Sequence, residues 1–129
     1  MFCPYSYDDS HPDAFEYLPA ANNLALEVGT ALRFDGGVLV LATGANMPEY
    51  ISMTKKTTLT DGETVAVMRV ANDVVYETEL AADNAALALG EKYTIDDSGG
   101  KLTATTADGV AQVVAFDGNT AGSKVRVRF

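Results

Sequence analysis

The chain reads as an all-β protein: a small antiparallel barrel or sandwich built from two pseudo-repeats and preceded by an extended N-terminal arm. Three observations predict this. Glycine-centred turns punctuate short apolar segments, with Asp35-Gly36-Gly37, Asp61-Gly62, Asp108-Gly109 and Asp117-Gly118 supplying the positive φ that tight turns need. Period-two alternation is clean at the end, where Val125, Val127 and Phe129 take one face and Lys124, Arg126 and Arg128 the other. The closing "GSKVRVRF", beginning at Gly122, echoes the "GETVAVMRV" that begins at Gly62.

Taken in order, the first twenty residues are a different material from the rest. They hold three of the four prolines, four acids (Asp8, Asp9, Asp13, Glu16), no Lys or Arg, and five of the eleven aromatics. Proline blocks regular sheet and helix there, so an extended arm is expected over 1–20. Its aromatics, Phe2, Tyr5, Tyr7, Phe15 and Tyr17, are unusually many for a free tail, so the arm is expected to cap its own domain first, to dock on a neighbour second, and to stay a mobile tail third. Residues 21–129 form one domain. "LRFDGGVLV" is a hairpin, two apolar segments joined by Asp-Gly-Gly. "EYISM" is a short strand, and "ETVAVMRV" and "VVYETEL" are longer ones. "ELAADNAALAL" has room for at most a turn or two of helix. "YTIDDSGGKLTAT" repeats the hairpin device with a longer loop, and the alternating strand closes the chain.

The echo extends beyond the ending. Between residues 29–70 and 90–129, Gly29 matches Gly90, Phe34 matches Ile95, Gly36-Gly37 match Gly99-Gly100, and Leu39 matches Leu102. Gly62 then matches Gly122, Val65 matches Val125, and Val67 matches Val127. Two such units closing on each other remove the exposed strand edges that invite aggregation.

Composition narrows the function classes. The 129 residues are 47% hydrophobic and 21% charged, which is globular and long enough for one core. Nine Lys and Arg against eighteen acids give a net charge of −9. That balance disfavours nucleic acid and anionic membrane surfaces as partners. One cysteine forms no intramolecular disulfide. The longest apolar run, "VLVLA", is far short of the roughly 20 residues a membrane helix needs. No basic region followed by an apolar stretch marks a secretory signal, so a cytosolic protein is the expectation.

Reactive constellations are sparse. His11, the one histidine, and Cys3 lie in the proline-rich arm, which offers no framework for a nucleophile–base pair or for a zinc site. Glu77 and Glu79 sit two apart on a strand, roughly 7 Å on one face, a spacing compatible with a hydrolase pair and equally with a solvated strand. Lys55-Lys56 lacks the context of a carrier-domain lysine, and no glycine-rich turn opens a helix to cradle phosphate. The sequence therefore assigns no catalytic residue, no cofactor and no metal.

The runs "GTALRFDGGVLVLATGANMPEYISM", "VAVMRVANDVVYETEL" and "GVAQVVAFDGNTAGSKVRVRF" resemble the small β-barrel head-decoration proteins of tailed phages and prophages. They share with them an early "G..L....G.L..A" segment and an "AG..V.V" close, and the resemblance covers about residues 24–129. It implies a non-enzymatic protein that binds the outside of an assembled capsid, with the major capsid protein as partner and a homo-oligomer, a trimer for preference, as the working form. The arm does not match the family pattern, so no binding residue carries over from it. Contact residues are expected instead from composition: the arm aromatics Phe2, Tyr5, Tyr7, Phe15 and Tyr17, and the basic stripe Lys124, Arg126 and Arg128, along which the acidic arm can lie. The alternative is a bacterial carbohydrate- or ligand-binding β module.

Overall fold

The computed structural model describes residues 1–6, 15–60 and 62–129. Ten strands form among them: β1 (Cys3–Ser6), β2 (Phe15–Pro19), β3 (Ala31–Asp35), β4 (Val38–Leu41), β5 (Tyr50–Ser52), β6 (Thr64–Arg69), β7 (Val75–Glu79), β8 (Lys92–Tyr93), β9 (Ala111–Phe116) and β10 (Lys124–Arg128). They make two antiparallel sheets of five strands, ordered β1-β7-β10-β9-β8 and β2-β6-β5-β3-β4. No helix forms among the described residues. In the alanine-rich stretch after β7, only one turn closes, from the Leu87 N–H to the Asn84 carbonyl (3.1 Å), while the Asn84 N–H bonds the distant Asn119 carbonyl (2.7 Å).

The two copies fall one into each sheet, and their bonding repeats in detail. Phe34 pairs with Leu39 across the first hairpin as Ile95 bridges Leu102 in the second. Ala20 forms a parallel bridge with Leu39, and Leu80 forms one with Leu102. The Ala20 N–H donates to the Glu63 carbonyl (2.9 Å) as the Leu80 N–H donates to that of Ser123 (3.0 Å). The repeat therefore starts earlier than the glycine landmarks suggest. It takes in β2 in the first copy and β7 in the second, so that β2-β6-β5-β3 corresponds to β7-β10-β9-β8. β4 is reduced in the second copy to the bridges at Leu102, and β1 has no counterpart in the first.

Closure into a barrel does not occur. The architecture is sandwich-like: each sheet curls until its first strand meets its hairpin at one parallel bridge, and a single bridge is not a ladder. Open edges therefore remain, and the N-terminal segment supplies two of the edge strands. β1 pairs with β7 and β2 with β6, so proline did not keep these residues out of the sheets. Pro4 and Pro19 are tolerated because an edge strand has one side where a missing N–H breaks no ladder.

Burial divides into two clusters. Leu26, Leu32, Leu39, Tyr50, Leu59, Val65 and Val67 fill the inside of the first copy's curled sheet. Tyr76, Leu80, Tyr93, Leu102, Val113, Val125 and Val127 fill the second. Ala31, Ala42, Ile51 and Met68 of the first copy join this second cluster and bind the two halves into one body. Val125 and Val127 are inside as the alternation requires, and Phe129 is half-buried against the same cluster.

Candidate functional site

The outer face of the sheet β1-β7-β10 carries four of the residues that the sequence marks as contacts, Tyr5, Lys124, Arg126 and Arg128, and its geometry follows from strand register. Lys124 stands opposite Glu79 and Arg126 opposite Glu77 across the β7–β10 pair. The ion pairs are short: Lys124 Nζ to Glu79 Oε1 at 2.9 Å, and Arg126 Nε to Glu77 Oε2 at 3.1 Å. Asp117 adds a longer contact to Arg126 at 3.7 Å. Arg128 is exposed at the end of the strand.

Among the described residues, the acids that meet Lys124 and Arg126 come from this sheet itself, Glu79, Glu77 and Asp117. Opposite charges on adjacent strands meet first, because cross-strand neighbours are held in place by the ladder at no further entropic cost. Glu16, the one described acid of the arm, pairs instead with Arg69 at 3.0 Å, near the β6 strand beside it. Asp8, Asp9 and Asp13, with Tyr7 and His11, lie outside the described residues. What does reach the basic stripe is an aromatic: the Arg126 guanidinium stacks 4.3 Å from the centroid of the Tyr5 ring. Tyr5 falls where the β1–β7 register slips between Pro4 and Ser6.

The same pairs decide how Glu79 behaves. The Lys124 ammonium, by hydrogen bond and by charge, holds its carboxyl below the ordinary value, whereas a general acid needs the opposite shift. Glu63 is likewise held down by Lys56, and Lys124 is raised by Glu79. A depressed carboxylate pKa gives stability that is present above the unfolded value, about 4.3, and is lost as pH falls through the folded one. The raised Lys124 contributes below its unfolded value and loses that contribution in strong alkali. Thermal stability should therefore be level at mild pH and fall gently below about pH 4.3, and Glu63→Gln with Glu79→Gln should flatten that fall in melts across pH. The slope should be shallow, since these pairs are solvent-exposed.

The aromatics sort into two groups. Phe2 is fully buried, edge-on to Phe129 with centroids 5.1 Å apart, and it belongs to the chain's own core. Phe2 is therefore not the partner contact expected of the arm, since nothing of the ring reaches solvent. Tyr5, Phe15 and Tyr17 are exposed at 55%, 56% and 72%. Phe15 and Tyr17, two apart on β2, share one side of that strand. Cys3 is an exposed free thiol on β1. Lys55 and Lys56 are both engaged, with Glu27 and Glu63 respectively.

One feature has no local sequence signal. Tyr50, Arg69, Asn72, Met47 and Phe129 line an open groove of ≈ 370 Å³. There the Arg69 guanidinium lies 5.5 Å from the Tyr50 ring, and Phe34 meets the same ring edge-on at 5.6 Å. These residues meet through the Tyr50–Arg69 register of β5 and β6, which only the assembled sheet fixes. Below the second copy's strands, burial pushes the Tyr76 phenol up to about 12. Among the described residues, no group of three or more His, Cys, Asp or Glu is gathered as metal ligands. No helix among the described residues is long and apolar enough to cross a membrane. No protein-family model and no curated protein matches the chain.

Proposed function

We propose that this chain is a non-enzymatic structural protein that binds the outside of an assembled phage or prophage capsid and stabilises or decorates it. The observation that carries the reading is the unequal use of aromatics. Phe2, Tyr76 and Tyr93 are buried in the core, while Phe15 and Tyr17 stand bare on one edge strand. Large exposed rings on a rigid element supply contact area at small entropic cost, and they mark an interaction surface more often than an active site. The sequence resemblance over residues 24–129 supplies the particle, the major capsid protein as partner, and a homo-oligomeric working form. The net charge of −9 supports a protein partner over a nucleic acid.

Mass spectrometry of purified particles, from phage or after prophage induction, tests this. The expected result is this chain in amounts comparable to the major coat protein; intact particles without it would sink the proposal. A second reading, a carbohydrate- or ligand-binding module, is favoured by the groove holding Tyr50, Arg69 and Asn72. Saturable glycan binding that Tyr50→Ala abolishes would select it.

A further inference from the structure

Among the described residues, the internal duplication shows which sheet edge lacks a strand. In the second copy, β1 lies on the outer edge of β7, with Cys3 opposite Glu77. The equivalent strand of the first copy is β2, and Tyr17 and Phe15 correspond there to Glu77 and Val75, counting back from the matched bridges at Ala20 and Leu80. No other described strand pairs with that part of β2.

Backbone direction can be read from the bonds. The Ala20 N–H donates toward β6, to Glu63 (2.9 Å), and the Ala21 N–H donates the other way, to Leu39 (2.9 Å). Alternation then sends the backbone groups of Leu18 and Glu16 to β6 and those of Pro19, Tyr17 and Phe15 to the outer edge. The remaining edges are blunted. β1 carries Pro4 and a register slip, β8 has only two residues, and just beyond β4 Gly44 is bridged to Ile95 of the other copy. β2 carries its own outward Pro19 at its last position, but it runs in unbroken register with β6 over all five residues, and the Phe15–Tyr17 stretch presents two exposed aromatics and no proline.

We propose that β2 is a self-pairing edge: two copies of this chain join β2 to β2 antiparallel about a two-fold axis at Glu16, making one continuous sheet. The strand is self-complementary in that register. Phe15 of each copy faces Tyr17 of the other, so the outward N–H and C=O groups meet as hydrogen-bonded pairs and two aromatic cross-strand contacts form. The two Glu16 residues meet at the axis, each already neutralised by its own Arg69 at 3.0 Å. Each whole chain still carries −9, so the association strengthens with salt. The contact is small, which places it among weak dimers. It stands independently of any capsid role.

Sedimentation velocity of the full chain from roughly 10 μM to 1 mM, at low and high salt, tests the proposal. The expected result is a dimer that grows with concentration and salt. Tyr17→Pro removes the outward N–H without touching the β6 ladder, and should weaken the dimer at least about tenfold while the melting profile is kept. Should that variant fail to fold, Phe15→Lys with Tyr17→Lys gives the same loss from exposed positions. Glu16→Cys in a Cys3→Ser background should oxidise to a covalent dimer, since residues at the axis lie about 4.5 Å apart at Cα. A chain that stays monomeric to 1 mM overturns the proposal. So does a trimer or other oligomer that the β2 variants leave intact, or a β2 edge that binds only a different protein.

Discussion

Phe2→Ala should lower stability by about 3–5 kcal/mol, visible as a large drop in the denaturant midpoint with the slope retained. Within residues 1–6 it is the only fully buried side chain; β1 itself is exposed at every position. The ring sits against Phe129, which in turn lies 5.4 Å from Tyr76, and the Phe2 N–H donates to the Gly29 carbonyl at 2.7 Å. Truncation therefore opens a cavity among three aromatics and loosens the strand that covers β7. Amide exchange should quicken along the β1–β7 pair, while the β2–β6 pair stays protected. Tyr5→Ala is the matched control: it removes an exposed stack on Arg126, where the expected loss is only about 0.5–1 kcal/mol. Equal effects from the two substitutions would show that Phe2 does not anchor the strand.

Gly109→Ala is the second large effect. A Cβ at this position would lie 2.3 Å from the carbonyl carbon and oxygen of Lys92 and 2.7 Å from the Tyr93 nitrogen. Those atoms are backbone of β8, held to β9 by the Lys92–Gln112 and Tyr93–Ala111 pairs, so no side-chain rotation relieves the clash. Asp108 already takes a left-handed φ of 55° to bring the chain in this close. Overpacking of this kind costs about 1–3 kcal/mol where side chains can adjust, and rigid backbone puts Gly109 at or beyond the upper end. Gly36→Ala is the comparison, because nothing lies within 4 Å of its Cβ and only its φ of 59° is strained. If thermal melts show Gly36→Ala to be the worse of the two, close approach is not what fixes Gly109.

The contrast between those glycines also explains how much of the fold was legible beforehand. Asp35-Gly36-Gly37 and the alternation of Lys124 to Phe129 are local signals that mark a turn and a strand where the structure has them; at Asp108-Gly109 the positive φ falls on Asp108 instead of the glycine, Gly118 does not take one, and Asp61 lies outside the described residues. The duplication was readable from Gly29, Leu39, Gly62 and Val67 against their partners. Its true start was not, because β2 and β7 share no residue types that announce their equivalence; Glu16 and Tyr17 stand where the second copy has Tyr76 and Glu77. The proline-rich opening misled for a similar reason. Pro4 and Pro19 forbid a central strand, and composition alone does not say that an edge is on offer. The contacts of Lys124 and Arg126 needed register: sequence shows two basic residues and two glutamates forty-five and forty-nine positions apart, and only the β7–β10 ladder sets them side by side.

The pairing of β1 with β7 has a consequence in time. A ribosome delivers β1 before the other described strands, and domains assemble from the N-terminal side as they emerge. The first copy can close as soon as β6 is out, since β2 to β6 are partners of one another. β1 is made before any of them, yet its partner β7 follows all five, and the ring that receives Phe2 is residue 129. β1 therefore waits unpaired at least until β7 has emerged, and Phe2 can seat against Phe129 only after that residue is made. Loops closed over so long a span are slow to form, so maturation of this protein should show a late phase that a chain beginning at β2 does not have.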